Sequence, residues 1–208
     1  MEEAAASDRA EERSGTLREY AEAFIVALLL ALFIRTFVVQ AFKIPSGSMK
    51  DTLLIGDQIL VEKFAYGVKI PFVDKVVWRH EDPERDDVIV FIYPEDPSKD
   101  FIKRIVGLPG DTVEIRNKQL YVNGEPVTKP YERHVDPGYN RLRDNYGPKV
   151  VPPESYLVLG DNRDESHDGR FWGYVPRTSI RGKAMILYWS WDGERNRIRW
   201  DRIGKLIR

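Results

Sequence analysis

Residues 44–53, IPSGSMKDTL, place small polar side chains directly after a strongly apolar stretch. A serine hydroxyl such as that of Ser48 can act as a nucleophile, but only when a base removes its proton. Pro, Ser and Gly are also common turn formers, so the segment could equally be a connector. The nucleophile hypothesis therefore requires a base elsewhere in the chain.

A histidine is the most common base for a serine nucleophile. The segment NRDESHDGR contains Ser166, His167 and Asp168 side by side. The members of a catalytic triad usually come from separate segments and meet only in the fold, so adjacency in sequence is weak support. We interpret His167 as an ordinary polar loop residue.

A lysine can replace histidine when burial disfavours its charged form and leaves a neutral amine. The candidate is Lys103 in DFIKRIVGLPGD, a β-prone apolar run. In a strand, Lys103 shares one face with Phe101 and Ile105, whereas Arg104 points to the other face. If the Lys103 face is buried, the amine is dry and Arg104 is left to pair with a carboxylate. Alternation alone does not say which face is buried, so a solvated lysine remains the alternative.

The composition excludes several other classes of chemistry. The formal net charge is −1, so no global positive field attracts nucleic acid. The chain has no cysteine, which removes disulfides, thiolate catalysis and cysteine-ligated zinc. Its three histidines form no HxxH or HExxH pattern. We therefore predict no metal and no cofactor.

The elements that must position these residues begin with an apolar segment. Residues 23–34, AFIVALLLALFI, contain no polar side chain, and with their flanks, residues 20–37, they approach the length of a membrane span. A cleaved signal sequence and a buried core helix are the alternatives. The acidic leader, residues 1–19, and the apolar character on all sides favour a single uncleaved transmembrane anchor. Arginine and lysine flank both ends, so charge does not decide its orientation.

Residues 38–208 read as a mainly β domain of antiparallel sheets. Short β-rich runs alternate with turn signals, and the Asn123-Gly124 pair predicts a tight hairpin. We expect no long amphipathic helix after the anchor. An excursion around residues 127–154 is rich in Pro, Tyr, Arg and Asp and carries no identifiable chemistry.

Four blocks of the sequence, taken in order, resemble the type I signal peptidases, which are membrane-anchored Ser-Lys endopeptidases. They are FKIPSGSMKDTL, GDQILVEKFAYG, DVIVFIYPEDPSKDFIKRIVGLPGDTVEI, and LGDNRDESHDGRFWGYVP followed by IRGKAMILYWS. The family pattern often has Pro where this chain has Asp51, and Ser where it has Gly169. These departures concern loop geometry and remove no proposed catalytic group.

The resemblance implies a role for each matching residue. Ser48 would be the nucleophile and Lys103 the general base, oriented by the hydroxyl of Ser166. The backbone N–H of Ser48 and the hydroxyl of Ser46 would stabilise the oxyanion. The remaining implied residues fall into two sets: structural ion pairs from Arg104, Asp161, Asp168 and Arg170, and substrate-binding side chains from Ile44, Pro45 and Met49.

The resemblance also implies partners and a location. The substrates would be signal peptides of exported preproteins, cut after small residues, and the chain would contact the lipid bilayer without nucleic acid or an obligate protein partner. The anchor would lie in the cytoplasmic membrane as a single pass, with its N-terminus cytoplasmic and the catalytic domain outside. Two rivals remain: self-cleaving repressors, which need a DNA-binding module, and a membrane-tethered β domain that only binds a partner.

Overall fold

The structure of the 208-residue chain is a computed structural model. The structure describes residues 2–69, 76–78 and 81–208, and the side-chain environments of 18–35, 38–67 and 81–208. His80 lies outside the described residues. The chain divides into two compact units, Met1–Val39 and Gln40–Arg208.

The N-terminal unit is a helix, α1 (Glu2–Phe33), followed by a π-helical turn (Ile34–Val38). Large apolar side chains along it are exposed, with Phe24 67% and Leu29 62% accessible. Within the described part of the chain, no helix combines the length and the apolar character needed to cross a membrane. The anchor that the sequence predicts at residues 20–37 stays a prediction.

The second unit is built mostly from short strands, as the turn-rich sequence predicts, with one long strand of 13 residues near its C-terminal end. Its strands are β1 (Val39–Lys43), β2 (Asp57–Glu62), β3 (Val68–Lys69), β4 (Val76–Trp78), β5 (Val88–Ile92), β6 (Asp100–Gly107), β7 (Thr112–Arg116), β8 (Gln119–Val122), β9 (Glu125–Val127), β10 (Tyr146–Val150), β11 (Ser155–Leu159), β12 (Val175–Pro176), β13 (Ile180–Asp192) and β14 (Arg197–Ile198). The helices of this unit are short: α2 (Arg141–Asp144) and α3 (Gly169–Trp172), with 3-10 turns at Arg163–Glu165, Arg177–Ser179 and Trp200–Arg202.

Most strands join one large sheet. Among the described residues it has eight strands in the order β1-β2-β13-β5-β6-β11-β12, with β14 added beside β13. The pairs from β2 to β12 in this order are antiparallel. A four-stranded sheet, β10-β7-β8-β9, and a two-stranded one, β3-β4, complete the unit. The prediction of a mainly β domain with antiparallel sheets is confirmed.

The two tight hairpins of the four-stranded sheet have positive φ at both central residues, three of which are Asn or Gly. Asn123 and Gly124 have φ of 54° and 86° and join β8 to β9, as the sequence predicts. A second turn, at Asn117 and Lys118 with φ of 48° and 71°, separates β7 from β8. Both loops have two residues, the length at which positive φ at both central positions matches the twist of the strands.

The apolar core follows the alternation of the strands. In β2 every second residue is buried, whereas β5 is buried at four consecutive positions because both of its faces are covered. The C-terminal segment joins this core rather than lying free, since Ile207 is 9% exposed and its N–H donates to Met185 O. Strand β6 lies inside the large sheet between β5 and β11, and its middle carries the candidate site.

Candidate active site

Lys103 and Ser48 meet in the structure. Lys103 Nζ lies 2.7 Å from Ser48 Oγ, although 55 positions separate the two residues in sequence. The lysine is held in the middle of β6, where it pairs with Ile89 of β5. The serine lies in a turn that begins after Ile44, whose backbone is hydrogen-bonded to Asp57 and Gly56. Two separate backbone ladders therefore fix the contact from both sides.

The surroundings of Lys103 favour its neutral form. The side chain is 4% exposed and Ser48 is 7% exposed. Burial lowers the pKa of Lys103 from its ordinary value of 10.5 to about 8, although Asp168 and Asp161 attract the charged form and act in the opposite direction. Nζ also donates to the carbonyl of Ile102 at 3.0 Å and lies 5.4 Å from the centre of the Phe101 ring. A neutral amine at this place can accept the proton of the serine hydroxyl.

The hydroxyl of Ser46 points toward the same oxygen. Ser46 Oγ and Ser48 Oγ are 3.4 Å apart, and Ser46 is exposed. Between them, a Cβ added to Gly47 would meet no heavy atom within 4 Å. The space beside Gly47 is thus open, next to the hydroxyl that the family resemblance assigns to the oxyanion.

Ser166 lies near the dyad without forming the expected hydrogen bond. Its Oγ is buried and has no hydrogen-bond partner, so the predicted bond to the Lys103 amine is not made in this structure. A Cβ added to Gly160 would lie 2.3 Å from Ser166 Oγ and 2.5 Å from Ser48 O. The absence of a side chain at Gly160 therefore permits Ser166 and the nucleophile turn to approach each other.

Arg104 occupies the other face of β6 and is fully buried. Its Nε and Nη2 donate to the two carboxylate oxygens of Asp161 at 2.8 and 2.7 Å, a bidentate pair. The remaining nitrogen of Arg104, Nη1, donates to the backbone carbonyl of Asp86 at 2.7 Å. The hydroxyl of Thr52 donates to the Asp161 carboxylate at 2.6 Å. Thr52 belongs to the nucleophile segment, so this ion pair ties β6 to that segment.

A second ion pair lies behind Gly160. Arg170 donates to both oxygens of Asp168 at 2.9 Å, and both side chains are buried. Asp168 also accepts the N–H of Gly160 at 3.0 Å. The four charged residues to which the family resemblance gives a structural role are thus placed as two pairs, Arg104 with Asp161 and Asp168 with Arg170.

The three residues assigned to substrate binding are placed differently from one another. Ile44 and Met49 are 2% and 1% exposed and belong to the apolar core. Pro45 is exposed. In this structure only Pro45 is open to an incoming peptide, and pockets lined by Ile44 and Met49 stay a prediction.

His167 does not reach the nucleophile in this structure. It is exposed, stacks on Phe171 at 5.3 Å between ring centres, and lies 3.3 Å from the Tyr93 hydroxyl. These contacts fit the interpretation of His167 as a polar loop residue. Within the described residues there is no group of three or more His, Cys, Asp or Glu side chains arranged to hold a metal.

The excursion around residues 127–154 contacts the site, which sequence reasoning missed. The ring of Tyr131 lies 3.8 Å from the guanidinium carbon of Arg104. The backbone of Arg133 pairs with the loop at Asp161, its N–H donating to Asp161 O at 2.8 Å. Its side chain forms an ion pair with Asp51, three residues after the nucleophile. The only signal for this in the sequence is the density of Arg and Tyr in the excursion.

Comparison with known proteins places the chain among peptidases. Residues 17–189 match the family model described as signal peptidase, peptidase S26. A signal peptidase I of Pseudomonas fluorescens is 40% identical over 84% of this chain and 73% of its own length. A probable signal peptidase I-2 of Synechocystis is 41% identical over 84% and 74%. A solved signal peptidase I from Enterococcus faecalis covers 50% of this chain and 97% of its own at 36% identity, with a TM-score of 0.42.

Proposed function

Since the chain belongs to the signal peptidase family, peptidase S26, we propose that it removes N-terminal signal peptides from exported preproteins by a Ser-Lys mechanism. Ser48 is the nucleophile and Lys103 the general base. The observation that carries this proposal is the 2.7 Å contact between the Ser48 hydroxyl and an amine whose pKa burial lowers to about 8.

The chemistry follows from the two groups. As Ser48 Oγ attacks the scissile carbonyl carbon, its proton passes to the neutral amine of Lys103. The negative charge on the carbonyl oxygen is stabilised by the backbone N–H of Ser48 and the hydroxyl of Ser46. Lys103 then gives the proton to the leaving amine as the scissile C–N bond breaks and leaves an ester on Ser48. In the second half, the Lys103 amine takes a proton from the attacking water and returns it to Ser48 Oγ as the ester bond breaks.

Ser166 and the ion pairs have supporting roles in this proposal. Rotation of Ser166 toward Lys103 during catalysis would give its buried hydroxyl a partner and would orient the amine. The pairs Arg104–Asp161 and Asp168–Arg170 brace β6 and the loop after β11. The small side chains before the cleaved bond would contact Ile44, Pro45 and Met49, of which Pro45 is exposed and Ile44 and Met49 are buried.

The proposal includes attachment to a membrane. Residues 20–37 are the anchor, a single pass through the cytoplasmic membrane with the N-terminus in the cytoplasm and the catalytic unit outside. The exposed apolar side chains along α1 support an environment of lipid around this helix. Retention in the membrane pellet at alkaline pH tests it, and release into the supernatant would contradict it, independently of peptidase activity.

Cleavage of a purified preprotein by the full chain in detergent tests the catalytic proposal. We expect release of the signal peptide by the wild type and none by Ser48→Ala. A variant Ser48→Ala that still cleaves would overturn the mechanism. A folded, detergent-soluble wild type that cleaves no preprotein would favour a chain that only binds a partner.

A further inference from the structure

Asn162 is a fully buried residue that the mechanism above does not use. It follows β11 and contacts the nucleophile turn twice. Its backbone N–H donates to Ser48 O at 3.1 Å, and its side-chain Nδ2 donates to Gly47 O at 3.1 Å. The same Nδ2 donates to Glu165 Oε2 at 2.8 Å, which sets the orientation of the amide.

The contact with Gly47 O bears on the neighbouring N–H group. The carbonyl of Gly47 and the N–H of Ser48 belong to one planar trans peptide, so they point in opposite directions. Gly47 O also accepts the N–H of Lys50 at 3.1 Å. Two donors therefore hold the carbonyl from one side, and the N–H of Ser48 is directed to the other side.

The side-chain amide of Asn162 uses its donor group but not its acceptor. Its Oδ1 is buried and has no hydrogen-bond partner, whereas the large majority of buried side-chain polar atoms have one. Both of its donors are used, on Gly47 and Glu165. The side chain is thus held for its donor group, and that group meets the peptide that carries the Ser48 N–H.

We propose that Asn162 is a positioning residue for the oxyanion hole, acting through the peptide plane between Gly47 and Ser48. This inference rests on the proposed function, in which the Ser48 N–H stabilises the oxyanion. Asn162 itself touches neither the substrate nor the reacting atoms. It fixes the direction of a donor before the substrate arrives, and such preorganisation is the source of electrostatic catalysis.

The test uses two substitutions of the side chain in the full chain, Asn162→Asp and Asn162→Ala. Both keep the backbone N–H that donates to Ser48 O and remove the donor to Gly47 O. We expect kcat for preprotein cleavage to fall about 10²-fold, the effect of losing one oxyanion donor, with KM changed less than about threefold. For Asn162→Ala the pH midpoint of kcat should stay at its wild-type value, because this substitution adds no charge near Lys103. For Asn162→Asp the new carboxylate favours the charged form of Lys103, so its kcat is compared at a pH above the midpoint.

Asn145→Ala is the matched control, since it removes a part-buried amide whose hydrogen-bond partners, Tyr139, Arg141 and Asn117, do not belong to the nucleophile turn. It should keep wild-type kcat. If Asn162→Ala keeps kcat, or loses it only in proportion to a lowered melting temperature and a shifted pH midpoint, the inference is wrong while the proposed function stands. Should Ser48→Ala cleave in the same assay, the proposed function fails first.

Discussion

Lys103 and Arg104 are consecutive basic residues of β6 that point to opposite faces of the sheet, and both are buried. Arg104 is held by the two oxygens of Asp161. Lys103 forms no ion pair with any residue that the structure describes, and its Nζ contacts a hydroxyl and a backbone carbonyl instead. A buried cation with a carboxylate partner keeps its charge, and one without such a partner can release its proton near neutral pH.

The two carboxylates that act on the pKa of Lys103 form ion pairs with arginines. Asp161 is paired with Arg104 and Asp168 with Arg170. Both carboxylates attract the charged form of Lys103, yet burial outweighs them and the pKa falls to about 8. Because both carboxylates already form ion pairs with arginines, neither forms one with Lys103. The Lys103 amine is therefore available as a base.

The largest effect is expected when the difference between Lys103 and Arg104 is removed by replacing the lysine with a permanently charged side chain. Lys103→Arg should lower kcat by about 10⁴-fold or more, because a guanidinium does not deprotonate in proteins. Preprotein cleavage measured from pH 7 to 10 checks this. His167→Ala is the control and should keep most of the activity. Activity of Lys103→Arg within about tenfold of wild type would mean that Lys103 acts only as a charge.

On the Arg104 face the expected effect is on stability. Asp161→Ala leaves the buried guanidinium without its carboxylate, and removal of one partner of a buried pair costs about 3–5 kcal/mol in the free energy of unfolding. The double variant Arg104→Met/Asp161→Leu should recover most of this loss. Chemical denaturation of the three proteins checks the prediction. A single variant as stable as the wild type would show that the pair does not brace the sheet.

Gly160→Ala tests the packing that brings the two sides of the site together. The new Cβ would meet Ser48 O at 2.5 Å and Ser166 Oγ at 2.3 Å, so the nucleophile turn must shift. We expect kcat to fall about 10²-fold, since displacement of a reacting group by about 1 Å has this effect. Gly193→Ala, where a Cβ meets nothing within 4 Å, is the matched control. Equal activity of the two variants would contradict the close approach.

The sequence predicts those features of the site that depend on residues close together in the chain, and misses those that depend on distant segments. Alternation in β6 predicts that Lys103 and Arg104 diverge, and Asn123-Gly124 predicts its own hairpin, because both effects are local. The contacts of Tyr131 and Asn162 join segments far apart in the chain, and the residue types carry no signal of the partner. Burial of Met49 is likewise decided by the packing of β2 and β13 around it rather than by its neighbours in sequence.

Replacement of Lys103 is expected to change the free energy of unfolding by a smaller amount. The folded pKa of about 8 lies below the unfolded value of 10.5, so the native state is penalised by about 3 kcal/mol below pH 8, at about 1.36 kcal/mol per pH unit. Lys103→Met removes this penalty and loses two hydrogen bonds, for a net gain of about 1–2 kcal/mol at pH 7.

The pH dependence of the stability difference between Lys103→Met and wild type tells whether the gain comes from the lowered lysine pKa or from better packing of the methionine. Between pH 8 and 10.5 the unfolded wild type binds a proton that the folded state has released, so wild-type stability rises with pH. The advantage of Lys103→Met over wild type should therefore shrink across this range in denaturation experiments. An advantage that stays constant with pH would point to packing alone.

The most direct measurement is the titration of the Lys103 amine itself. In the full chain labelled at lysine Cε, the resonance missing from Lys103→Arg identifies Lys103, and its chemical shift followed by NMR from pH 6 to 11 gives the pKa. The account predicts a midpoint of about 8. A midpoint at or above the ordinary value of 10.5 would show an amine that stays charged, and a charged amine cannot accept the proton of Ser48.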